Sequence, residues 1–529
     1  GRTSNEAAFL YQLMVRQFGT NNLPDCSNMC HESSGRALSQ TIGIGKGTVF
    51  LEDFDKSDLI LVIGQNPGTN HPRMLTALRD AKRNGAKIIH INPLPETGLV
   101  RFKHPQDYLK FRFSSESLAD LHLQVKIGSD SALMIGLMKI LLEKNAIDQG
   151  FIDEHTEGFS NLCDHIRSIS WAKILKDTGL EMEEIQKAGE YCASSKATIA
   201  CWAMGLTQHK HGVAMIQDVS NLLLMGGHIG KPGAGLCPVR GHSNVQGDRT
   251  VGIWERPTES FLLKLEKGTG IKAPREHGLD VVETIQAMHS GNVDLFFCMG
   301  GNFVSATPDT PIVAEGLSKV GLTVQVSTKL NRSHLVTGDA ALILPCLGRT
   351  ESDIQDGLPQ FVTVENSMGV VHQSQGKLKP ASDQLKSEVS IVSNIAYSLF
   401  GDDAITWSKF PQNYDSIREL ISESINGFDD YNARVRKPGG FYLPNPPRDK
   451  RIFHTPNKKA NFMINSLPDL TVPQEKFVMM TIRSHDQYNT TIYGHDDRYR
   501  GIKGNRRVVL MNAKDMIQRG LKSKQVVDI

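Results

Sequence analysis

From Asp58 to Pro93 the chain reads "DLILVIGQNPGTNHPRMLTALRDAKRNGAKIIHINP". An unbroken apolar run gives way to a Gly/Asn/Pro turn, then to an amphipathic stretch through Ala81, a glycine stop and a second apolar run. This pattern predicts a βαβ unit whose strands are both buried. Residues 294–328, "DLFFCMGGNFVSATPDTPIVAEGLSKVGLTVQVST", repeat the design of Asp, apolar strand, Gly-Asn turn, helix and second strand. Two such units predict two α/β lobes related by approximate symmetry. Each lobe would take a phosphate- or nucleotide-sized ligand beyond the C-terminal ends of its strands, where loop amides and a helix N-terminus gather.

Between the units, about residues 130–226 read as mainly helical and end in "LLLMGGHIGKPGAGLCPVRGHSNVQG", whose glycines open a long polar loop of the kind function retains. After about residue 385 the pattern weakens through the Pro/Gly-rich "KPGGFYLPNPPRDKR" at 437–451. From Lys476 onward, "FVMMTIRSHDQYNTTIYG", "RRVVLMNAKDM" and the final "KSKQVVDI" predict strands of a separate β-rich domain. The expected domains are a first α/β lobe begun at 1–25 and resumed at 249–390, and a second α/β lobe at 26–248 with a helical insertion. A connector at 391–475 and a β domain at 476–529 follow. A first residue that is not Met and a strand pattern running to the last residue lead us to expect that both ends are cut.

Charge narrows the choice of partner. Among 529 residues, 59 Lys and Arg face 57 Asp and Glu for a net charge of +2, with no long run of one sign. A nucleic-acid or anionic-membrane surface therefore has no electrostatic footprint, and a small molecule is the expected ligand. Apolar runs such as "LILVIG" (59–64) are about a third of a membrane-spanning length and the start has no signal pattern, so we expect a cytoplasmic protein without membrane insertion. Eight cysteines, at 26, 30, 163, 192, 201, 237, 298 and 346, are scattered as in proteins of a reducing compartment.

Neither glycine turn is GxGxxG, which argues against an ordinary nicotinamide site. "GQNPGTN" (64–70) reads as a tight strand-to-helix turn or as a ligand turn, and its partner "GGN" (300–302) tilts the balance to two related ligand sites. "INP" (91–93) and "STKLNRSH" (327–334) end the second strands, where base and ribose contacts are made in doubly wound folds, although Asn92 also suits a cap. In "NNLPDCSNMCHESSG" (21–35), Cys30 stands among Asn, His, Glu and Ser. A buried thiol is the default for cysteine. A Cys26–Cys30 zinc or iron–sulfur half-site needs a second ligand pair, and the chain has no CxxC. A thiolate on a single catalytic metal, with His31 as proton carrier, fits the surroundings better. In "CPVRGHSNVQGD" (237–248), Pro238 and Gly241 shape the backbone around Arg240, whose planar fork suits capture of a carboxylate or similar oxyanion; a surface arginine is the alternative.

With "CSNMCHESSG", "VIGQNPGTNHPRM", "KIGSDSALMIGLM", "MGLTQHKHG", "GGHIGKPGAGLCPVRGHSNVQGD", "LPCLGRTESD" and "TIRSHDQYNTTIYG", the chain resembles the catalytic subunit of the molybdopterin oxidoreductase family, in its formate dehydrogenase-like branch. The resemblance covers nearly the whole chain. It implies a multidomain α/β fold of two pseudo-symmetric Rossmann-like lobes and a C-terminal double-psi β-barrel-like domain. It implies molybdenum or tungsten held by two molybdopterin guanine dinucleotides, one per lobe, with Cys30 as the metal ligand, His31 beside it and Arg240 on formate. Gly64, Asn66, Gly68, Thr69, Asn92, Gly128 and Asp130 would serve one dinucleotide, and Gly205, Gln208, Gly301, Asn302, Ser327 and Asn331 would line the rest of the cleft. Arg483, His485 and the stretch Asn489 to Tyr493 would cap the pterins.

Two departures from the branch change the expectation. The [4Fe-4S] cysteines of its N-terminal segment are not in this sequence, so the cluster is expected outside it. Where the branch has a small residue and proline after the Cys-His pair, this chain has Glu32-Ser33-Ser34, and a buried unpaired carboxylate there would repel formate. The leading expectation is two-electron oxidation of formate to carbon dioxide, with electrons leaving through a pterin to the cluster and on to an acceptor protein. In that scheme Arg240 clamps the carboxylate and His31 accepts a proton or stabilises charge. The alternatives are another small substrate or oxyanion on the same cofactor, and a cofactor-less scaffold subunit of the kind that the large subunit of respiratory NADH dehydrogenases resembles.

Overall fold

The computed structural model describes residues 2–107 and 115–529. The chain divides into two compact units, Gly1–Val478 and Met479–Ile529.

Five parallel strands form the main sheet of the first unit: β1 Leu59–Ile63, β2 Lys87–Ile91, β3 Leu121–Leu123, β4 Thr198–Trp202 and β5 Gly235–Pro238. Their order is β3-β2-β1-β4-β5, with Leu59 opposite Lys87 on one side and Thr198 on the other. Side chains of β1 alternate between two apolar layers. Leu59, Leu61 and Ile63 pack with residues of the helices Asp130–Glu143 and Gly212–Met225, while Ile60 and Val62 pack with Leu75 and Leu78 of the helix Met74–Arg83. Both faces are covered, so the strands read as continuous apolar runs. The strand order turns back between β1 and β4, which makes their C-terminal ends the topological switch point, the place where open α/β sheets bind ligands.

A second parallel sheet holds β6 Leu295–Met299, β7 Leu322–Ser327 and β8 Ala340–Pro345 in that order, with the helix Thr310–Ser318 between β6 and β7. Both βαβ units therefore form where the apolar pattern puts them. The sheets hold five and three strands respectively.

Residues 391–475 are not a mere connector. They belong to the first unit, where the helices Glu388–Phe400 and Tyr414–Ser424 share one core with the helix Asn5–Gln17. Trp407, Tyr414, Ile417, Phe428 and Tyr431 fill that core, and a buried Arg418–Glu6 ion pair of 2.8 Å crosses it. An antiparallel sheet of β9 Val362–Glu365, β10 Val370–Ser374 and β11 Phe441–Tyr442 also draws on this stretch.

In the second unit, Gln487–Tyr488 pairs with Thr491–Ile492, and Ala513–Gln518 is helical. Of the strand pattern expected over 477–494 only this short hairpin forms among the described residues, and none forms over 506–516 or 522–529. A strand persists only where another chain segment takes up its row of N–H and C=O groups, which side-chain pattern alone does not supply. Among the described residues no helix is long and apolar enough to cross a membrane.

Candidate functional site

Cys30 closes α1, Cys26–Cys30, and His31 turns the chain into α2, Glu32–Ile42. A five-residue helix is too short to persist alone. α1 is held at its start by a reciprocal cap, in which the Asp25 carboxylate accepts the Asn28 N–H (3.2 Å) and the Asn28 amide oxygen accepts the Asp25 N–H (3.1 Å). At its end Gln208 donates one amide group to the carbonyls of Met29 (3.1 Å) and Cys30 (3.2 Å). The Cys30 Sγ lies 3.7 Å from the Met204 sulfur. Burial raises the thiol's pKa, and the Arg240 cation and the Gly241 N–H work against that rise.

His31 is buried, and its Nδ1 is 3.0 Å from the Ser34 hydroxyl. That hydroxyl oxygen also accepts the indole N–H of Trp202, at 3.0 Å. Among the described residues Nδ1 is the one acceptor within reach of the Ser34 O–H, so the hydroxyl donates to it, which assigns the imidazole proton to Nε2. Nε2 is buried without a partner of good geometry. Burial, then Arg240, lower the histidine's pKa to about 3, with the Val239 main chain opposing them, so the ring is neutral.

Arg240 follows β5 and is 9% exposed. Its Nε donates to the Gln246 side-chain oxygen (3.0 Å) and its Nη2 to the Gly45 carbonyl (2.9 Å). His71, from the loop after β1, donates its Nε2–H to the Arg240 main-chain carbonyl at 3.0 Å. Among the described residues no carboxylate lies within ion-pairing distance of the guanidinium. Burial lowers its pKa, and the nearness of Cys30 raises it again.

Glu32, the departure noted in the sequence, is ion-paired: Arg249 Nη2 lies 2.9 Å and Arg36 Nε 3.3 Å from its carboxylate. Arg249 also forms a two-pronged bond to Asp25, at 2.9 and 3.1 Å. The carboxylate is thus neither unpaired nor fully buried, at 24% side-chain exposure.

At the switch point, Gly64 has φ +55° and donates its N–H to Ile91, while Gly205 donates to the Gly64 carbonyl at 3.0 Å. A Cβ on Gly205 would stand 2.4 Å from that oxygen. Gly68 meets Gly98 in the same way, backbone on backbone. Asn66 accepts the Thr69 N–H at 3.3 Å and donates to the buried Glu96 at 2.8 Å. Asn92 spends its side chain on Gln65 and Leu94, the cap that its position allowed. Gly128 has φ +83°, and burial raises the Asp130 carboxyl, in the first turn of the helix Asp130–Glu143, to about 6.

A second group gathers after β6 and β7. Gly301 has φ +84°, and a Cβ there would meet nothing within 4 Å. Asn331 donates to the Gly301 carbonyl (2.8 Å), Asn302 accepts from Ser333 (3.0 Å), and Ser327 bonds His334 (3.1 Å). Arg483, His485, Asn489 and Tyr493 lie in the second unit, where Arg483 donates to the Asn489 carbonyl at 3.2 Å and the His485 N–H donates to Asp497 at 3.0 Å.

Hydrogen bonds thus link the Cys30 segment to Gln208, and the Arg240 loop to the turn after β1. Ser34, Trp202, Met204, Arg249, Gln246 and Glu365 complete this centre and were not singled out in the sequence. Among the described residues no three His, Cys, Asp or Glu side chains gather as a metal-holding group. A metal at Cys30 would have one protein donor and would take its other ligands from a cofactor. The residues fit such a group: a half-buried soft donor, a buried cation that among the described residues has no carboxylate at ion-pairing distance, and strand-end glycines where a side chain would intrude or where open space remains.

The family model for molybdopterin oxidoreductase matches residues 1–396. An uncharacterized oxidoreductase of Mycobacterium tuberculosis is 54% identical over all of this chain and 69% of its own length, and protein YdeP of Escherichia coli is 49% identical over 97% of this chain and 69% of its own. Formate dehydrogenase H of Escherichia coli is 26% identical over 92% of this chain and 67% of its own. Among solved structures, acetylene hydratase from Pelobacter acetylenicus shares the fold, with a TM-score of 0.63 at 18% identity. That match covers 85% of this chain, which in turn spans 61% of the solved one. The chain belongs to the molybdopterin oxidoreductase family.

Proposed function

We propose that this chain holds molybdenum or tungsten in a bis(molybdopterin guanine dinucleotide) centre. Within the complete protein it oxidises a small monoanion, formate in the first instance, to carbon dioxide. The observation that carries the reading is Arg240: a buried guanidinium beside Cys30, fixed by two hydrogen bonds to neutral oxygens, with Glu365 and Asp25 acting on it only from beyond ion-pairing distance. Such a group is prepared to bind an oxyanion. The ion pairing of Glu32 supports an anionic substrate, because it removes the repulsion that a bare carboxylate would exert.

Cys30 serves as the single protein donor to the metal, and the bound cofactor supplies the two-electron redox chemistry and the path toward a [4Fe-4S] cluster whose ligands lie outside this chain. Arg240 orients the substrate carboxylate. His31, neutral with its proton on Nε2, stabilises developing negative charge as a hydrogen-bond donor, which favours that role over proton acceptance. Gly64, Asn66, Gly68, Thr69, Asn92, Gly128 and Asp130 serve one dinucleotide; Gly205, Gln208, Gly301, Asn302, Ser327 and Asn331 serve the other side of the cleft.

The test is metal and nucleotide analysis of the complete protein purified anaerobically, followed by formate-dependent dye reduction on the same sample. Molybdenum or tungsten with about two guanine nucleotides per metal is expected, as two nucleotide-binding lobes require, together with turnover that Arg240→Lys abolishes or strongly weakens. The cofactor without turnover would move the substrate away from formate, and protein free of metal and nucleotide after cofactor-competent expression would overturn the reading.

A further inference from the structure

The clamp on Arg240 is itself held by a second, deeper layer. The Gln246 side-chain oxygen accepts from Arg240 Nε (3.0 Å), while its amide nitrogen donates to the Glu365 carboxylate (2.7 Å) and to the Asn366 carbonyl (3.1 Å). Glu365, at the end of β9, is 1% exposed and takes the Lys46 ammonium at 2.8 Å and the Thr250 hydroxyl. Asn244 accepts the Glu365 main-chain N–H at 2.7 Å, and Ser367 accepts that of Arg240 at 3.0 Å. A carboxylate can only accept, so Glu365 fixes which end of the Gln246 amide faces it, and the oxygen is left for Arg240.

We infer that Gln246 is a positioning residue for Arg240 and a neutral spacer, set by Glu365 and Lys46, that fixes the guanidinium without a direct ion pair to it. This rests on the reading that Arg240 binds an anion. The physical reason for a spacer is direct. A carboxylate in van der Waals reach of the guanidinium would hold it as firmly, but in this buried setting it would compete with the substrate for the same charge. An amide supplies the acceptor and no charge. The carboxylate sits one side chain further out, where Lys46 balances it.

The experiment exchanges the two groups in the metal-loaded, anaerobically purified complete protein. The double variant Q246E/E365Q keeps the number of charges and the side-chain shapes, and moves the carboxylate from Lys46 to Arg240. Binding of formate and of nitrate is measured by calorimetry for wild type, Arg240→Lys and the double variant, alongside metal content, thermal midpoint, KM and kcat. The spacer role predicts anion binding weakened at least about tenfold in the double variant, with KM raised in parallel and kcat changed less than about twofold. Unchanged anion binding in a metal-loaded double variant would overturn the inference. Should the double variant not accumulate, Glu365→Asp keeps every charge but withdraws the acceptor from the Gln246 amide. It is expected to raise KM in the same direction, and equal KM would count against the role. Wild type that binds nitrate but not formate would fail the formate reading while the nitrate series still decides on the spacer. Wild type that binds neither anion would overturn both.

Discussion

Arg249 and Glu32 form an ion pair at 2.9 Å, and the same guanidinium forks onto Asp25, the cap of the helix that ends in Cys30. One arginine thus balances two carboxylates on either side of the thiol, with Glu255 a third at 4.0 Å. Burial works against the Arg249 charge, and Asp25 ahead of Glu32 and Glu255 more than compensates. Arg249→Gln is expected to destabilise the protein by about 2 kcal/mol, because it leaves half-buried carboxylates facing one another. Adding Glu32→Gln should restore part of the loss. Urea denaturation of the single and double variants reads the coupling.

The Gly64–Gly205 approach gives a contrast in glycine substitutions. Gly205→Ala puts a methyl group 2.4 Å from a main-chain oxygen that cannot turn away, and we expect a loss of about 3 kcal/mol with a lower thermal midpoint. Gly301→Ala meets no atom within 4 Å and carries only the strain of a positive φ, about 1 kcal/mol. Equal losses at the two positions would refute the close-approach argument.

The Trp202–Ser34–His31 chain fixes a tautomer. In wild type, the side-chain nitrogens of His31 should show an unprotonated Nδ1 and a protonated Nε2 by histidine-selective nitrogen-15 NMR, assigned with His31→Gln. Ser34→Ala removes the donor to Nδ1 and should shift the population toward the other tautomer. A protonated Nδ1 in wild type would reverse the role given to His31.

Asp218 sits buried in the helix Gly212–Met225, accepting from Asn465 at 3.0 Å, and burial raises its pKa to about 7. Its folded-state pKa is above its unfolded value of 3.8, so the native state holds a proton that the unfolded chain releases. This contribution to stability is fully present below pH 3.8 and declines as pH rises to about 7. Asp218→Asn is expected to flatten that decline and to stabilise the protein at neutral pH relative to wild type, as denaturation midpoints across the window will show.

The βαβ units were legible because a parallel strand covered on both faces writes itself as an uninterrupted apolar run, as at Leu59–Ile63 and Lys87–Ile91. Cys30 and Arg240 stood out because local chemistry surrounds each: polar neighbours for one, Pro238 and Gly241 for the other. Gln246 and Glu365 left no such mark, since they are 119 positions apart and each alone is an ordinary polar residue. The helices Glu388–Phe400 and Tyr414–Ser424 were hidden by the loop-like segments around them, and only their packing on Asn5–Gln17 makes them core. In the C-terminal unit, alternation predicted several strands, of which only Gln487–Tyr488 and Thr491–Ile492 pair among the described residues.

Gln208 reaches across 178 positions to hold the Cys30 carbonyl, and the Arg240 cradle closes only with Glu365 and Ser367. The thiol therefore has no fixed position in the first part of the chain to leave the ribosome. The helix end that carries it is fixed by a residue made 178 positions later, and the Arg240 cradle by Glu365 and Ser367 later still. The surroundings of Cys30 and Arg240 are accordingly complete only at the end of folding, after the longest loops have closed and their entropy has been surrendered.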